Sequence, residues 1–258
     1  MGINHTVAMA KNFEFRPFIF FGLLAFLLTA QPVWAAEESN DEWKLNGGLY
    51  LWASDIDIED SNGDSSTISF SEIVDNLDLV FMGHLGGQKG KLGFMIDAIY
   101  LDMSETERDH VAPGIIHDKT EIQSTIITPI MTYRVVEDNQ FNLDVLGGMR
   151  YLYMDVNLKF NVLDDLGDDG SVYNGVVGFR GNAQLNKNWS LPFYYDIGKG
   201  DSELTYQAFA GARYSFPSFD LSAGYRYMKF KFDDDDDFGG VLNNLVIKGP
   251  MVGAKYWF

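Results

Sequence analysis

Residues 140–156 read QFNLDVLGGMRYLYMDV, and the side chains of this stretch alternate in character along the chain. The apolar side chains at odd positions are Phe141, Leu143, Val145, Met149 and Tyr151, and the polar ones at even positions are Asn142, Asp144 and Arg150. Successive side chains of a β-strand point to opposite faces. The stretch therefore predicts a strand with one apolar and one polar face.

The same period of two recurs along the chain and predicts about ten strands. They cover 43–56, 78–88, 91–103, 121–136, 140–156, 172–186, 189–198, 203–216, 219–232 and 243–258. Each is long enough to cross a bilayer as a tilted strand, which takes about 9–11 residues. Short connections at 89–90, 137–139, 187–188 and 217–218 alternate with longer ones at 57–77, 104–120, 157–171, 198–202 and 233–242. Short periplasmic turns opposite long extracellular loops are typical of outer-membrane barrels.

The arginines within these strands all fall on the polar face. They are Arg134, Arg150, Arg180, Arg213 and Arg226. A charged side chain that faces lipid costs about 2–4 kcal/mol at the bilayer midplane, so the polar face must line a lumen. A soluble β-sandwich has no need of inward charges, because its inner faces form a dry core. We therefore predict an all-β fold, a transmembrane antiparallel up-and-down β-barrel of about ten strands, with eight or twelve as alternatives.

Hairpin register predicts polar pairs inside this barrel. A turn at 187–188 places Arg180 opposite Asp196, and a turn at 89–90 places His84 opposite Met95 and diagonal to Asp97. Charges in a narrow interior must be paired.

The turn at 137–139 places Arg134 opposite Asn142 and near Asp144. The predicted lumen polar network, a structural one, comprises His84, Asp97, Arg134, Asp144, Arg150, Arg180, Asp196, Arg213 and Arg226.

The N-terminus predicts an export signal. Lys11 and Arg16 precede the apolar run FIFFGLLAFLLTA at 18–30, which is shorter than the roughly 20 residues of a spanning helix. Small or β-branched side chains stand at Val33 and Ala35, which is typical of a cleavage site after Ala35. We predict a cleaved signal peptide over 1–35 and a barrel over 36–258; an uncleaved membrane anchor is the alternative.

The net charge and the amino-acid composition limit which kinds of partner the protein can bind. The chain has 37 acidic and 19 basic side chains, a net charge of −18, which argues against a nucleic-acid partner. It has no cysteine, which excludes disulfides and thiolate metal ligands.

Acidic loops at 55–64, 164–169 and 233–237 are candidate sites for divalent cations, although such clusters are more often only solvated. Outer-membrane lipid and lipopolysaccharide are the other expected partners.

Catalytic candidates are few. His110 and His117 stand beside Asp109 and Asp118 in one long loop, where an imidazole could act as a general base or simply be solvated. No second motif supports catalysis, so we predict no catalytic site, no cofactor and no specific metal site.

Residues 70–77 predict a short helix. Ser71 is the expected N-cap, and Ile73, Val74 and Leu77 form one apolar face. The segment is expected either to cover the mouth of the barrel or to extend its rim.

The chain ends MVGAKYWF at 251–258, with Tyr256 and Phe258 on the same face as Val252. A terminal Phe with an aromatic residue two positions earlier resembles the signal by which bacterial outer-membrane barrels are recognised by the assembly machinery. The resemblance implies that Tyr256 and Phe258 are an assembly signal and that this machinery is a partner.

Further stretches resemble an uncharacterised family of small proteobacterial outer-membrane barrels. They are LYLWA at 49–53, DNLD at 75–78, FMGH at 81–84, LPFYYD at 191–196, GDSELTYQ at 200–207, AGYRY at 223–227 and GP at 249–250. The resemblance implies the barrel fold and a location in the bacterial outer membrane, and it implies no particular chemistry.

The predicted strand number sets expectations for function. About eight strands leave an interior just filled by side chains, whereas water-filled porins have roughly 16. A narrow or plugged lumen favours a structural or interaction barrel. A narrow cation-preferring channel for small solutes is the alternative, because the acidic mouth would concentrate cations. A barrel enzyme acting on lipid A or surface peptides is the third hypothesis.

Overall fold

The fold is described by a computed structural model for residues 42–105, 109–112, 115–160, 166–232, 238 and 242–258. The predicted signal peptide lies outside these residues and stays a prediction. The strands are β1 Lys44–Trp52, β2 Asp55–Asp60, β3 Ser65–Ile68, β4 Leu77–Lys89, β5 Leu92–Glu105, β6 Asp109–Ala112, β7 Ile115–Glu137, β8 Phe141–Phe160, β9 Leu166–Gln184, β10 Trp189–Gly200, β11 Leu204–Ser215, β12 Phe219–Lys231 and β13 Leu242–Trp257. One short helix, α1, spans Phe70–Asp75 in the described part of the chain.

Ten of the described strands close into a barrel. The order β1-β4-β5-β7-β8-β9-β10-β11-β12-β13 consists of antiparallel neighbours, and β13 pairs back onto β1. The closing register runs from Asn46 opposite Trp257 to Trp52 opposite Met251. The predicted ten-stranded up-and-down barrel is confirmed. The shorter strands β2, β3 and β6 lie at the end away from the short turns.

Tight turns join the strands at one end of the barrel. In the first of them Lys89 pairs with Leu92, and Gly90 adopts a positive φ of 54° that most side chains avoid. The chain enters β1 and leaves β13 at this same end. Following the arrangement of outer-membrane barrels, we call it the periplasmic end and the opposite end extracellular.

The longest strands extend beyond their predicted bounds. β7 has 23 residues, β8 has 20 and β9 has 19, so much of the predicted loops at 104–120 and 157–171 is strand. Pairing continues beyond the lipid-facing stretch, for example between Thr120 and Leu158. The reason is that neighbouring backbones still satisfy each other's hydrogen bonds there, whether or not the side chains alternate.

The predicted strand at 43–56 is two strands in the structure. β1 ends at Trp52, and after a break at Ala53–Ser54 β2 continues along the same partner, with Asp55 opposite Lys248. Pro250 of β13 lies at the break, where its carbonyl accepts a hydrogen bond from the Ala53 N–H at 2.9 Å. Since proline has no N–H to return, the regular ladder is interrupted at this point.

Helix α1 begins two residues earlier than the predicted N-cap implies. Its N-cap is Ser69 and not Ser71, because Ser69 and Glu72 form a capping box. Ile73 is buried against Leu101 and Met103, two inward-facing side chains of β5. The segment is therefore a separate helix packed on the lumen side of the extracellular end. No helix in the described residues is long and apolar enough to span a membrane.

The outer surface of the barrel is apolar. Large exposed hydrophobic side chains on the outward parity include Leu49, Leu51, Leu79, Leu85, Ile96, Ile127, Met131, Val145, Met149, Val177, Phe179, Leu191, Ile197, Leu221, Tyr225 and Val252. A closed sheet satisfies every backbone group of its wall, which is the condition for spanning lipid. An apolar belt on such a wall places the protein in the bacterial outer membrane.

Candidate functional site

The inward-facing side chains form three layers along the lumen. The extracellular layer, the apolar lumen cluster, comprises Trp52, Ile99, Ile126, Leu152, Val172, Met228, Phe230, Phe232, Phe238, Leu245 and Ile247. Below it lies the central polar network of Tyr50, Asp97, Arg150, Tyr194, Asp196, Thr205, Gln207 and Arg226. The periplasmic layer is a cavity of about 470 Å³, the basic cavity, lined by Arg134, Arg180, Arg213 and Lys255 among others.

The apolar lumen cluster is tightly packed. Leu152 and Phe230 are both 0% exposed, and the rings of Phe230 and Phe232 lie nearly parallel with their centroids 6.3 Å apart. Burying an aliphatic or aromatic side chain contributes roughly 1.5–3 kcal/mol. The layer is thus a hydrophobic core inside the barrel, which the sequence analysis missed because it expected polar side chains at every inward position.

The first half of the central polar network surrounds Asp97. Arg226 Nη2 donates to Asp97 Oδ1 at 2.8 Å, and Tyr50 Oη donates to Asp97 Oδ2 at 2.8 Å. Arg226 Nη1 also donates to Tyr50 Oη at 2.9 Å, which closes a triangle of hydrogen bonds. The guanidinium carbon lies 4.8 Å from the centroid of the Trp52 ring, so the arginine also makes a cation–π contact.

The second half surrounds Asp196. Arg150 Nη2 donates to Asp196 Oδ2 at 2.5 Å, and Tyr194 Oη donates to the same oxygen at 2.5 Å. Gln207 Oε1 accepts hydrogen bonds from Arg150 at 3.2 Å and from Arg226 at 2.9 Å. The glutamine therefore joins the two ion pairs into one network across the lumen.

The charges of this network are buried, and those of its second half are fully removed from water. Arg150 and Asp196 are both 0% exposed, and three of the network's polar atoms, Arg150 Nε, Arg226 Nε and Asp196 Oδ1, have no hydrogen-bond partner. Buried charges are tolerated when they are paired, but removing one partner leaves the other uncompensated. The network consequently fixes which strands face each other across the lumen.

In the basic cavity, one carboxylate serves two arginines. Arg134 Nε donates to Asp144 Oδ1 at 2.7 Å and Arg180 Nε donates to Asp144 Oδ2 at 3.2 Å. Arg134 also contacts Glu137 at 3.2 Å, and Arg180 donates to Thr132 at 3.2 Å. Both guanidinium groups remain partly open to the cavity.

The opposite wall of the basic cavity holds Lys255. Its Nζ lies 3.3 Å from Asp220 and 4.1 Å from the centroid of the Trp257 ring. Trp257 Nε1 donates to Asp220 at 3.3 Å. Arg213 lines the same cavity, and within the described residues no hydrogen bond and no ion pair reaches its guanidinium.

His84 lies at the top of the basic cavity. It stands opposite Asp97 and not opposite Met95 as predicted, because the turn is centred one residue later, at Gly90–Lys91. Gly48 provides room for the imidazole: a Cβ there would come within 2.5 Å of the His84 Cε1 atom.

Two other register predictions were wrong by two residues. Arg180 stands opposite Tyr194, because the Asn186 side chain accepts hydrogen bonds from the N–H groups of Asn188 and Trp189 and so belongs to the turn. Asp196 is bound by Arg150 instead.

Arg134 stands opposite Asp144 and not Asn142, because the turn lies later than predicted: the Asp138 N–H donates to the Phe141 carbonyl, and Glu137 pairs with Asn142. A bulge between Arg134 and Val136 then moves the register back by one residue. The extra residue of a bulge shifts every pair beyond it. The structure thus brings seven predicted network residues into ion pairs, namely Asp97, Arg134, Asp144, Arg150, Arg180, Asp196 and Arg226. It places the other two, His84 and Arg213, in the lining of the basic cavity.

The chain matches no family model and no curated protein. Its fold is similar to that of several solved outer-membrane barrels. The outer membrane protease OmpT from Escherichia coli has 10% identity, a TM-score of 0.48, and coverage of 83% of this chain and 97% of that chain. The translocator domain of the autotransporter NalP from Neisseria meningitidis has 12% identity, a TM-score of 0.45, and coverage of 93% and 94%. Ail, the attachment invasion locus protein of Yersinia pestis, has 8% identity, a TM-score of 0.36, and coverage of 84% of this chain and 99% of that chain. These likenesses concern architecture, and no activity is carried over from them.

Three acidic side chains of β2 at the extracellular end have separate partners. Asp57 binds Lys248 and Thr67, and Glu59 accepts a hydrogen bond from Asn244. Asp60 accepts hydrogen bonds from the backbone N–H groups of Asp64 and Asn62, and the bond from Asp64 chiefly lowers its pKa. Within the described residues no three His, Asp or Glu side chains converge as metal ligands would. Residues 164–165 and 233–237, and the side chains of His110, His117 and Asp168, lie outside the described part, so those candidates stay predictions.

Sequence reasoning missed several members of the lumen layers. Tyr50, Tyr194 and Gln207 belong to the central polar network, and Asp220 and Lys255 belong to the basic cavity. Their signal was available, since each lies on the inward parity of its strand. For Tyr50, Tyr194 and Gln207, what was missing was the rule that uncharged hydroxyls and amides on that parity also satisfy buried charges. Asp220 and Lys255 are an inward ion pair between β12 and β13, which the predicted hairpin pairs did not include.

Proposed function

We propose that the protein is a structural or interaction barrel of the outer membrane whose lumen does not conduct solutes. The observation that carries the proposal is that two successive lumen layers are dry. Phe230 and Leu152 of the apolar lumen cluster, and Arg150 and Asp196 below them, are all 0% exposed. A water-filled channel would hydrate its inward charges, whereas here they are enclosed by other side chains.

The extracellular end supports the interaction side of this proposal. The β2–β3 hairpin and the long β7–β8 and β8–β9 pairs continue to this end. Helix α1 buries Ile73 but leaves Phe70 and Val74 exposed. Exposed apolar side chains on such an element are typical of contact surfaces. Lipopolysaccharide or a surface partner would supply the other side.

Planar-bilayer recording of the refolded mature barrel tests the proposal. We expect a flat baseline for the wild type. The double variant Phe230→Ala/Met228→Ala should introduce leak or unit steps, because it removes two fully buried side chains from the apolar lumen cluster. Tyr225→Ala, on the exposed outer face of the same strand, is the matched control and should leave the baseline flat.

Stable unit steps from the wild type would overturn the proposal and favour the channel alternative. The reversal potential in a salt gradient would then give the preferred sign of charge. The acidic extracellular end favours cations, while the basic cavity opposes their passage. For the enzyme alternative, mass spectrometry of lipid A from cells with and without the protein is the test, and an altered lipid A would revive it.

We also propose that the barrel assembly machinery recognises the last strand. Tyr256 and Phe258 are exposed, as a recognition signal for the assembly machinery requires. Divalent cations are proposed as partners of the acidic loops, because Ca²⁺ and Mg²⁺ prefer carboxylate oxygens as ligands.

A further inference from the structure

The periplasmic half of the lumen carries the charge opposite to that of the whole chain. The net charge of the protein is −18, yet the basic cavity is lined by six cationic and three anionic side chains. The cations are Lys44, Arg134, Arg180, Arg213, Arg226 and Lys255, and the anions are Asp97, Asp144 and Asp220. Six of the 19 basic side chains of an acidic protein thus line one cavity, which creates a locally positive potential.

The three carboxylates of the cavity are already engaged. Asp97 binds Arg226, and Asp144 is shared between Arg134 and Arg180. Asp220 lies against Lys255 and accepts a hydrogen bond from Trp257. Each of these carboxylates is therefore already held by at least one cation of the cavity, which leaves none of the three free for a further cation.

Arg213 differs from the paired arginines of the cavity in its contacts. It lies on the inward parity of β11 opposite Ser222, and Ser222 lies two residues from Asp220, the register partner of Lys255. The Arg213 guanidinium thus projects into the cavity beside Lys255, and within the described part of the chain it makes no hydrogen bond or ion pair. A guanidinium offers five N–H donors in a planar fork that matches an oxyanion.

We propose that the basic cavity binds a small, water-soluble oxyanion, with Arg213 as its main ligand and Arg180 and Lys255 beside it. The cavity volume of about 470 Å³ suits a small molecule. The charged side chains of the lining lie on the inward parity of their strands, so the barrel wall separates them from lipid. The central polar network and the apolar lumen cluster lie above it. The ligand therefore enters from the periplasm, and its phosphate or carboxylate oxygens accept the N–H bonds of Arg213.

Isothermal titration of the refolded mature barrel with inorganic phosphate, and separately with succinate, tests this site. Sodium chloride at matched ionic strength is the reference, because screening alone would affect all three salts alike. We expect saturable binding of at least one oxyanion above chloride. Arg213→Gln should weaken it about tenfold or more, since it removes a charge-assisted bidentate contact.

Lys231→Gln is the matched control. It also removes one positive charge, but at the extracellular end, where Lys231 pairs with Glu203. The oxyanion affinity of Lys231→Gln should equal that of the wild type. Asp220→Asn should change the oxyanion affinity in the opposite direction. It removes a negative charge from the cavity while keeping Arg213, so the oxyanion should bind more tightly.

The Asp220→Asn variant keeps the proposal testable if Arg213→Gln fails to fold, which circular dichroism would reveal. Three outcomes would overturn the proposal: no saturable binding above chloride in the wild type, equal affinity in folded Arg213→Gln, or weaker binding in Asp220→Asn. The conductance test of the preceding section is independent of all three, because a cavity closed on one side can bind an anion whether or not the barrel conducts.

Discussion

The two halves of the lumen are built from the same strands and differ in what their inward positions hold. On the extracellular side of the central polar network, Leu152 and Phe230 are 0% exposed. On the periplasmic side, the Arg134 and Arg180 side chains are 19% and 24% exposed to the cavity. The alternation that builds the wall is common to both halves. The content of the lumen is decided separately, by which residues occupy successive inward positions along each strand.

This difference predicts how each half responds to mutation. In the dry half, a lost side chain leaves a void or an unpaired charge that water cannot easily reach. In the open half, water replaces a lost partner, so the same change costs less. Matched substitutions in the two halves therefore test whether the layers are as distinct as the structure indicates.

The largest contrast is expected between two arginines. Arg226→Ala should lower the free energy of unfolding by about 3–5 kcal/mol, because it leaves Asp97 buried without its ion-pair partner. Arg134→Ala should cost about 1 kcal/mol or less, because Arg134 is partly exposed and Asp144 keeps Arg180. Urea unfolding in lipid vesicles, followed by tryptophan fluorescence, measures both.

Equal losses for the two arginine variants would contradict the contrast. Such a result would mean that the central polar network is as accessible to water as the basic cavity, and it would also weaken the case for a non-conducting lumen.

A smaller contrast is expected between two apolar side chains. Leu152→Ala removes a fully buried side chain from the apolar lumen cluster and should cost about 2–5 kcal/mol. Met95→Ala, at the lining of the basic cavity, should cost clearly less, because water can fill the vacated space. The same unfolding measurement applies, and a larger loss for Met95→Ala would show that the cavity region is the better packed of the two.

The wall of the barrel could be predicted from sequence because the alternation of apolar and polar side chains depends only on neighbouring positions of one strand. Lipid on one side forces apolar residues onto one parity, and a charge such as Arg150 can only turn inward. The short turns could be located for the same reason. The strand ends could not, because β7 and β8 continue pairing where no lipid enforces alternation.

The contents of the lumen were harder to predict. Register depends on single residues of each hairpin, and the role of Asn186 in its turn or the bulge before Val136 shifts every later pair. The ion pair of Arg150 with Asp196 joins β8 to β10, which are not neighbouring strands, so no hairpin register contains it. Arg213 was placed in the lumen by parity alone, and only the structure shows that its guanidinium makes no hydrogen bond or ion pair with the described residues.

The smallest expected effect concerns helix α1, which packs through Ile73 at the extracellular end. The Ser69 side chain and backbone N–H donate to the Glu72 carboxylate, and these hydrogen bonds lower the pKa of Glu72, the side-chain bond most strongly. Because the pKa is lower in the folded state, the capping box stabilises α1 at pH values above the unfolded pKa of Glu72. That stabilisation is lost as the pH falls through the lowered value.

We therefore expect the Ile73 amide, which donates to the Ser69 carbonyl, to lose hydrogen-exchange protection in acid after correction for the intrinsic rate. The Leu152 amide in β8 is the internal control and should keep its protection, since no carboxylate caps its strand. Glu72→Gln keeps a hydrogen-bond acceptor but cannot titrate, so the acid loss at Ile73 should disappear. If Glu72→Gln loses protection over the same pH range as the wild type, another group is responsible and the capping box is not the acid-sensitive element of the extracellular end.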